Sequence, residues 1–214
     1  NMVDGRATIS CFCKHNQIDY GVVDIGINSY RPFTGIQRKV AMGTKNFMKE
    51  PAMSQEEFEK AWQIGRELVY ELVQEKGYNL LSFGEMGIGN TTTSSAVLHA
   101  LTGMLPEFVV GHGAGLSGND MLKRKRMVVA KGVERHKDQM QTVKDMLRCV
   151  GGLDMVGICS GMLACAELKI PFVIDGFITA VAYACAARLD GSIEKQALPS
   201  HMSREPGMAY SLML

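Results

Sequence analysis

Three glycines, Gly84, Gly87 and Gly89, surround one carboxylate, Glu85, and run directly into Asn90-Thr91-Thr92-Thr93. Glycine lets the backbone turn sharply and brings bare N–H groups close to a ligand. Asn90 or Thr91 is suited to cap a helix whose first N–H groups otherwise lack partners. A helix that begins behind such a loop is a ready site for an anion, phosphate above all. The same glycines also suit a plain tight connection, because the spacing is neither Gly-x-Gly-x-x-Gly nor the Walker pattern. A second glycine loop, Gly111-His112-Gly113-Ala114-Gly115, follows the apolar run Phe108-Val109-Val110. Three strand-like runs end in an acid: Asp24, Glu85 and Asp175. In an open parallel sheet, ligands bind just beyond the carboxyl ends of the strands. Three acids and two glycine loops at that edge describe a cleft, although Asp175 alone also reads as a helix cap. Glycine loops bind anions, whereas carboxylates bind a proton or a cation. A ligand with a phosphate and a cationic or proton-bearing ring, such as a nucleotide, satisfies both.

Other chemistries have less support. The histidines His15, His99, His112, His136 and His201 show no His-x-x-x-His or His-Glu-x-x-His spacing, so no metal site is expected. His112 could touch an anion from its place in the second loop. Ser82 is not in a Gly-x-Ser-x-Gly elbow. The basic run Lys123-Arg124-Lys125-Arg126 lies on successive helical positions, so only one or two of its members can face a cleft. No aromatic residues are interleaved with it, and the chain's net charge is +1, which together disfavour nucleic acid.

The elements that position these residues alternate between strand and helix. A helix is expected over 5–16, with Ile9, Phe12 and Cys13 on one face, then a short buried strand over 20–24. Residues 25–51 read as irregular, a length that in a compact domain is usually functional or partly disordered. Ser54-Gln55-Glu56-Glu57 forms a capping box, and Phe58, Ala61, Trp62, Gly65, Leu68, Val69 and Leu72 continue at helical spacing to Gly77. Leu80 to Phe83 reads as a buried strand and Asn90 to Leu101 as a helix. The apolar run Phe108-Val109-Val110 leads into the second glycine loop, and helices follow near 119–134 and 138–150. Residues 151–168 form a buried helix, 171–174 a strand and 177–189 another buried helix. The tail from Pro199 to Gly207 is loop, with a helix beginning beyond it. This alternation predicts an α/β fold, a parallel sheet flanked by helices in a Rossmann-like three-layer arrangement.

The 214 residues suit one large domain or a domain plus an appendage, and a single α/β domain over 1–214 is expected, with 46% hydrophobic and 21% charged residues as in ordinary globular proteins. Six cysteines include no Cys-x-x-Cys pair, and Cys149, Cys159, Cys165 and Cys185 sit in apolar segments. They read as reduced core thiols of a cytoplasmic protein. Asp154, Glu167 and Asp175 interrupt the longest apolar stretches, against a membrane span. No signal-peptide pattern is visible, and the abrupt ends at Asn1 and Leu214 read as the edges of a longer chain.

The string Gly84-Glu-Met-Gly-Ile-Gly-Asn-Thr-Thr92 resembles the nicotinate-nucleotide–dimethylbenzimidazole phosphoribosyltransferase family, which makes the lower-ligand nucleotide of cobalamin. Val22-Val-Asp-Ile-Gly26, Gly43-Thr-Lys-Asn46, Pro51-Ala-Met53, Gly111-His-Gly-Ala-Gly115, Gly151-Gly152, Asp175-Gly-Phe177 and Ser200-His-Met-Ser-Arg-Glu-Pro-Gly207 extend the resemblance, in order, along essentially the whole chain. It implies transfer of phosphoribosyl from nicotinate mononucleotide to 5,6-dimethylbenzimidazole or a related base, giving alpha-ribazole 5'-phosphate and nicotinate. It implies a homodimer with small-molecule substrates and no cofactor. Gly87, Gly89, Asn90 and Thr91 would hold the phosphate together with Gly111, Gly113 and a downstream lysine, Lys125 or its rival Lys123. Glu85 would lie near the benzimidazole and the ribose, with Asp24 and Asp175 in the cleft.

There are departures from the family pattern. The family's general base is a glutamate in a C-terminal Arg-Leu-Gly-Glu-Gly motif that this sequence does not contain, and an N-terminal segment is missing. His15 stands at the benzimidazole-pocket glutamine, Ala114 at a threonine and Met208 at a histidine. The alternative implied is a catalytically silent relative that binds a nucleotide or azole.

Overall fold

A computed structural model describes residues 2–31, 33–113, 115 and 118–213. The chain divides into two compact units, Asn1–Gly43 and Thr44–Leu214.

The first unit contains helix α1 (Thr8–His15) and strands β1 (Val23–Asp24) and β2 (Ile36–Gln37). The strands pair in parallel, Val23 opposite Ile36 and Asp24 opposite Gln37. Strand β2 falls in the stretch expected to be irregular, and the expected strand over 20–24 is confined to its last two residues. The expected apolar face of α1 is corrected as well. Cys13 is buried with Ser10, but Ile9 and Phe12 are exposed, because a unit this small offers little core to cover them.

The second unit opens with α2 (Gln55–Tyr70), started by the expected capping box. Ser54 Oγ accepts from the Glu57 amide at 3.1 Å, and Glu57 Oε2 accepts from the Ser54 amide at 2.7 Å. The helix widens into a π-helical turn over Glu71–Glu75 before Gly77. Strand β3 (Leu81–Phe83) leads through the first glycine loop to α3 (Asn90–Thr102). The apolar run before the second glycine loop, to which the sequence reading assigns no element, forms a helical turn, α4 (Pro106–Val109). Proline at the first helical position is pre-set for that geometry, and a short apolar run is ambiguous by periodicity.

Helices α5 (Asn119–His136), α6 (Val143–Val150) and α7 (Leu153–Leu168) precede β4 (Phe172–Ile174) and α8 (Phe177–Leu189). Strand β5 (Ala197–Pro199) and α9 (Met208–Ser211) follow. Strand order is β3-β4-β5, all parallel, with Phe83 opposite Ile174 and Ile174 opposite Pro199. Central β4 buries Phe172 and Ile174, whereas edge β3 is only half-buried and Leu80 before it is exposed. Pro199 is tolerated in β5 because that strand is an edge.

Helices α7 and α8 are apolar nearly all round and are buried accordingly, Cys159, Cys165 and Cys185 included. Helix α2 reaches α7 because residue 65 is glycine: a Cβ there would stand 2.0 Å from the Gly157 carbonyl oxygen and 2.2 Å from Ser160 Oγ. Among the described residues no helix is long and apolar enough to cross a membrane.

Candidate active site

The loop between β3 and α3 is open to solvent. Gly87, Ile88 and Gly89 are exposed, and the Ile88 side chain projects fully outward. Gly89 is the residue that precedes the helix, at φ 86°, in the left-handed region that glycine enters without strain. No side chain caps the helix. The expectation of an Asn90 or Thr91 cap is thereby corrected: both residues lie inside α3, and the Asn90 amide donates to Glu85 Oε2 instead. Among the described residues none accepts a hydrogen bond from the amides of Gly87, Ile88 or Gly89. A loop of free N–H groups at an uncapped helix start carries a partial positive charge that faces water.

Glu85 and Asp175 come together at the carboxyl ends of β3 and β4. A third acid, Asp154 in the first turn of α7, joins them. Burial first, and then the charges of Asp154 and Asp175, push the Glu85 carboxyl up to about 7, against the lowering bond from Asn90. Burial likewise raises the Asp154 carboxyl, and hydrogen bonds from the Met155 amide and the Asn90 side chain oppose it. Asn90 therefore links two acids of the site. Asp175 does not cap α8; Gly176 occupies that position without a side-chain bond. A carboxyl that titrates near neutrality is suited to take up a proton at physiological pH.

The second glycine loop is tied to the first through Lys125 of α5. Its Nζ donates to Thr91 Oγ1 and to the Gly111 carbonyl oxygen, each at 2.9 Å. Lys125 is 6% exposed, and burial lowers its pKa while the charge of Glu205 raises it. Lys123, by contrast, is 76% exposed at its side chain and lies 3.9 Å from Asp120. A Cβ on Gly113 would stand 2.7 Å from Thr91 Oγ1, so glycine permits this close approach. The Gly113 amide is engaged by Glu205 Oε1 at 2.9 Å. His112 is exposed, and Ala114 lies outside the described residues.

Asp24 and His15 belong to the first unit. Asp24 is buried, 3.2 Å from Lys39 Nζ, and accepts from the Ile27 amide at 2.8 Å. His15 ends α1 and is exposed. Among the described residues no group of three or more His, Cys, Asp or Glu side chains could hold a metal ion.

Two participants escaped the reading of the sequence as site residues. Asp154 was visible only as a charge interrupting an apolar run, although a lone carboxylate in the first turn of a buried helix is itself a signal. Glu205 lay within a recognised string, but its partners Gly111 and Gly113 are remote in sequence and left no local trace.

Fold and loops together define an α/β protein with a parallel sheet flanked by helices and glycine turns beyond its strand ends. A family described as phosphoribosyltransferase matches residues 1–213, and the chain belongs to that family. It is 42% identical over 211 residues to the nicotinate-nucleotide–dimethylbenzimidazole phosphoribosyltransferase of Clostridium tetani, covering 98% of this chain and 58% of that protein. It is 43% identical over 208 residues to the enzyme of the same name from Acetivibrio thermocellus, covering 97% and 59%. The crystal structure of the corresponding enzyme from Thermus thermophilus superimposes with a TM-score of 0.89 at 36% identity, over all of this chain and 63% of that one. The chain thus spans about three fifths of the length of the relatives it matches.

Proposed function

We propose that the chain binds nicotinate mononucleotide through its phosphate and transfers the phosphoribosyl group to 5,6-dimethylbenzimidazole or a related base, giving alpha-ribazole 5'-phosphate and nicotinate. The observation that carries this reading is Lys125, a buried ammonium bonded to the first turn of α3 and to the second glycine loop. Two loops that each suit an anion are joined by one cation, and the free amides of Gly87 and Gly89 with Asn90 and Thr91 complete the donor set. The names of the relatives at about 42% identity favour a transferase over a silent binder.

In the reaction, one azole nitrogen attacks the anomeric carbon while the bond to the pyridinium nitrogen breaks. The bonding pair returns to that ring, so nicotinate leaves with a neutral ring nitrogen. The proton on the other azole nitrogen must go to a base. Glu85, which titrates at about 7, is fitted to accept it and would lie near the benzimidazole and ribose, with Asp175 beside it. General-base assistance of this kind contributes roughly 10²- to 10⁴-fold. His15 as a residue of the base pocket and Asp24 as a residue of the cleft belong to the same proposal, as do a homodimer and a cytoplasmic location.

Incubating the chain with both substrates tests the proposal. Nicotinate release above background, abolished in Glu85→Ala, is expected. Binding of the mononucleotide without release would overturn transfer, and no binding would overturn the phosphate site. Light scattering at monomer mass would overturn the homodimer.

A further inference from the structure

Glu205 is an acid set against a site built for an acid ligand. Its Oε1 accepts from the Gly113 amide at 2.9 Å. A Cβ on Gly111 would stand 2.2 Å from Glu205 Oε2 and 2.7 Å from Pro206 Cδ, so the first residue of the second glycine loop lies against this carboxylate and the proline behind it. The Oε2 atom is buried and has no hydrogen-bond partner among the described residues.

The segment that carries Glu205 is firmly mounted. Gly207 is wedged between α3 and α8, where a Cβ would meet Phe177 Cε2 at 2.6 Å and Leu98 Cδ2 at 2.8 Å. Met208 is buried, and its amide donates to the Glu205 carbonyl oxygen at 3.0 Å. The carboxylate is therefore a fixed post and the glycine loop the part that needs fixing.

We propose that Glu205 is a positioning residue for the phosphate site: by holding Gly113 through its amide and packing against Gly111, it fixes the carbonyl that orients the Lys125 ammonium. The chain of contacts is continuous. Glu205 bonds Gly113, Gly113 is joined to Gly111 through one residue, Gly111 accepts from Lys125, and Lys125 donates to Thr91. Two of the three ammonium hydrogens are thereby committed, and the third is left with a defined direction. Glu205 itself, an anion, has no attraction for a phosphate. It acts through the loop.

This inference rests on the phosphate reading above, and two measurements separate their failures. The first is calorimetric binding of nicotinate mononucleotide to the wild-type chain, Glu205→Ala and Glu205→Gln. Glu205→Ala is expected to lose about tenfold in affinity, the value of one charge-assisted hydrogen bond. Glu205→Gln retains a carbonyl that accepts from Gly113 and should recover most of the loss. The second is hydrogen exchange of the Gly113 amide without ligand, expected to be slow in the wild type and in Glu205→Gln and fast in Glu205→Ala. Unchanged affinity or unchanged exchange in Glu205→Ala would overturn the positioning role, as would equal losses in both variants, which would point to charge instead. A wild-type chain that does not bind the mononucleotide would sink the phosphate reading and with it the purpose assigned to Glu205. The exchange measurement would still decide whether Glu205 holds the loop.

Discussion

Within the run Lys123-Arg124-Lys125-Arg126, neighbours differ in what surrounds them. Lys125 is buried with two hydrogen bonds, whereas Lys123 extends into solvent. Lys125→Ala should weaken mononucleotide binding by about 10- to 100-fold, since hydrogen bonds to charged groups are worth about 1.5–3 kcal/mol each. Lys123→Ala should leave calorimetric affinity unchanged, and an equal loss in both would reassign the effect to general charge. Glu85 supports a second prediction, in pH. Its carboxyl titrates at about 7 in the folded chain against an ordinary 4.5, so the folded state holds the proton more tightly than the unfolded state. Stability from this group is fully present below pH 4.5 and is lost as pH rises through 7. Glu85→Gln cannot ionise and should remove that decline. Its melting temperature should match the wild type near pH 4.5 and exceed it at about pH 8, where its stability should be greater by on the order of 1 kcal/mol once partial exposure is allowed for. Parallel melting curves across that range would show that the carboxyl is not held out of its ordinary range.

Helix α2 and helix α7 meet at a point where backbone nearly touches backbone. A methyl at residue 65 would overlap the Gly157 carbonyl oxygen at 2.0 Å, and neither helix can move without disturbing the core that α7 and α8 share. Gly65→Ala should therefore cost about 1–3 kcal/mol, the usual penalty of overpacking, despite the better helix propensity of alanine. A raised midpoint in urea would show that the crossing is looser than it looks. The helices that build this contact were legible in sequence: a capping box and a long 3.6-residue period announce α2, and continuous small apolar residues announce α7 and α8. Elements that contradict or lack a local pattern were not. Strand β5 is three residues long and ends in proline, and it exists because β4 offers it a partner. Helical turn α4 spans only Pro106–Val109, too short to show a period, and Pro106 at its first position pre-sets the helical backbone. The first glycine loop could be read from its spacing, because a strand, a turn and a helix start leave a local signature. The different burial of Lys123 and Lys125 could not, because neighbours distant in sequence create it. Glu205 and Gly113 are 92 residues apart, which puts their bond beyond any periodic reading.

At the scale of the whole chain, the core is distributed unevenly between the two units. Among the described residues, every buried apolar side chain except Cys13 lies between Phe47 and Met208, inside Thr44–Leu214. The three-stranded sheet, the helices α2 to α9 and the residues assigned to the phosphate also lie there: Gly87, Gly89, Asn90, Thr91, Gly111, Gly113 and Lys125, as does Glu205, which holds the second loop. A unit of that size, with its own sheet and its own core, falls in the range in which domains fold alone. A chain comprising 44–214 should therefore give a single cooperative thermal transition. It should also bind nicotinate mononucleotide with the affinity of the longer chain, because no donor in the proposed phosphate set comes from the first unit. Affinity for dimethylbenzimidazole should fall, because His15, the residue assigned to its pocket, is removed. Calorimetry with each ligand in turn separates the two effects. Loss of mononucleotide binding in a shortened chain that still melts cooperatively would mean that the phosphate site draws on residues before Thr44, and the donor set proposed for it would have to be rebuilt.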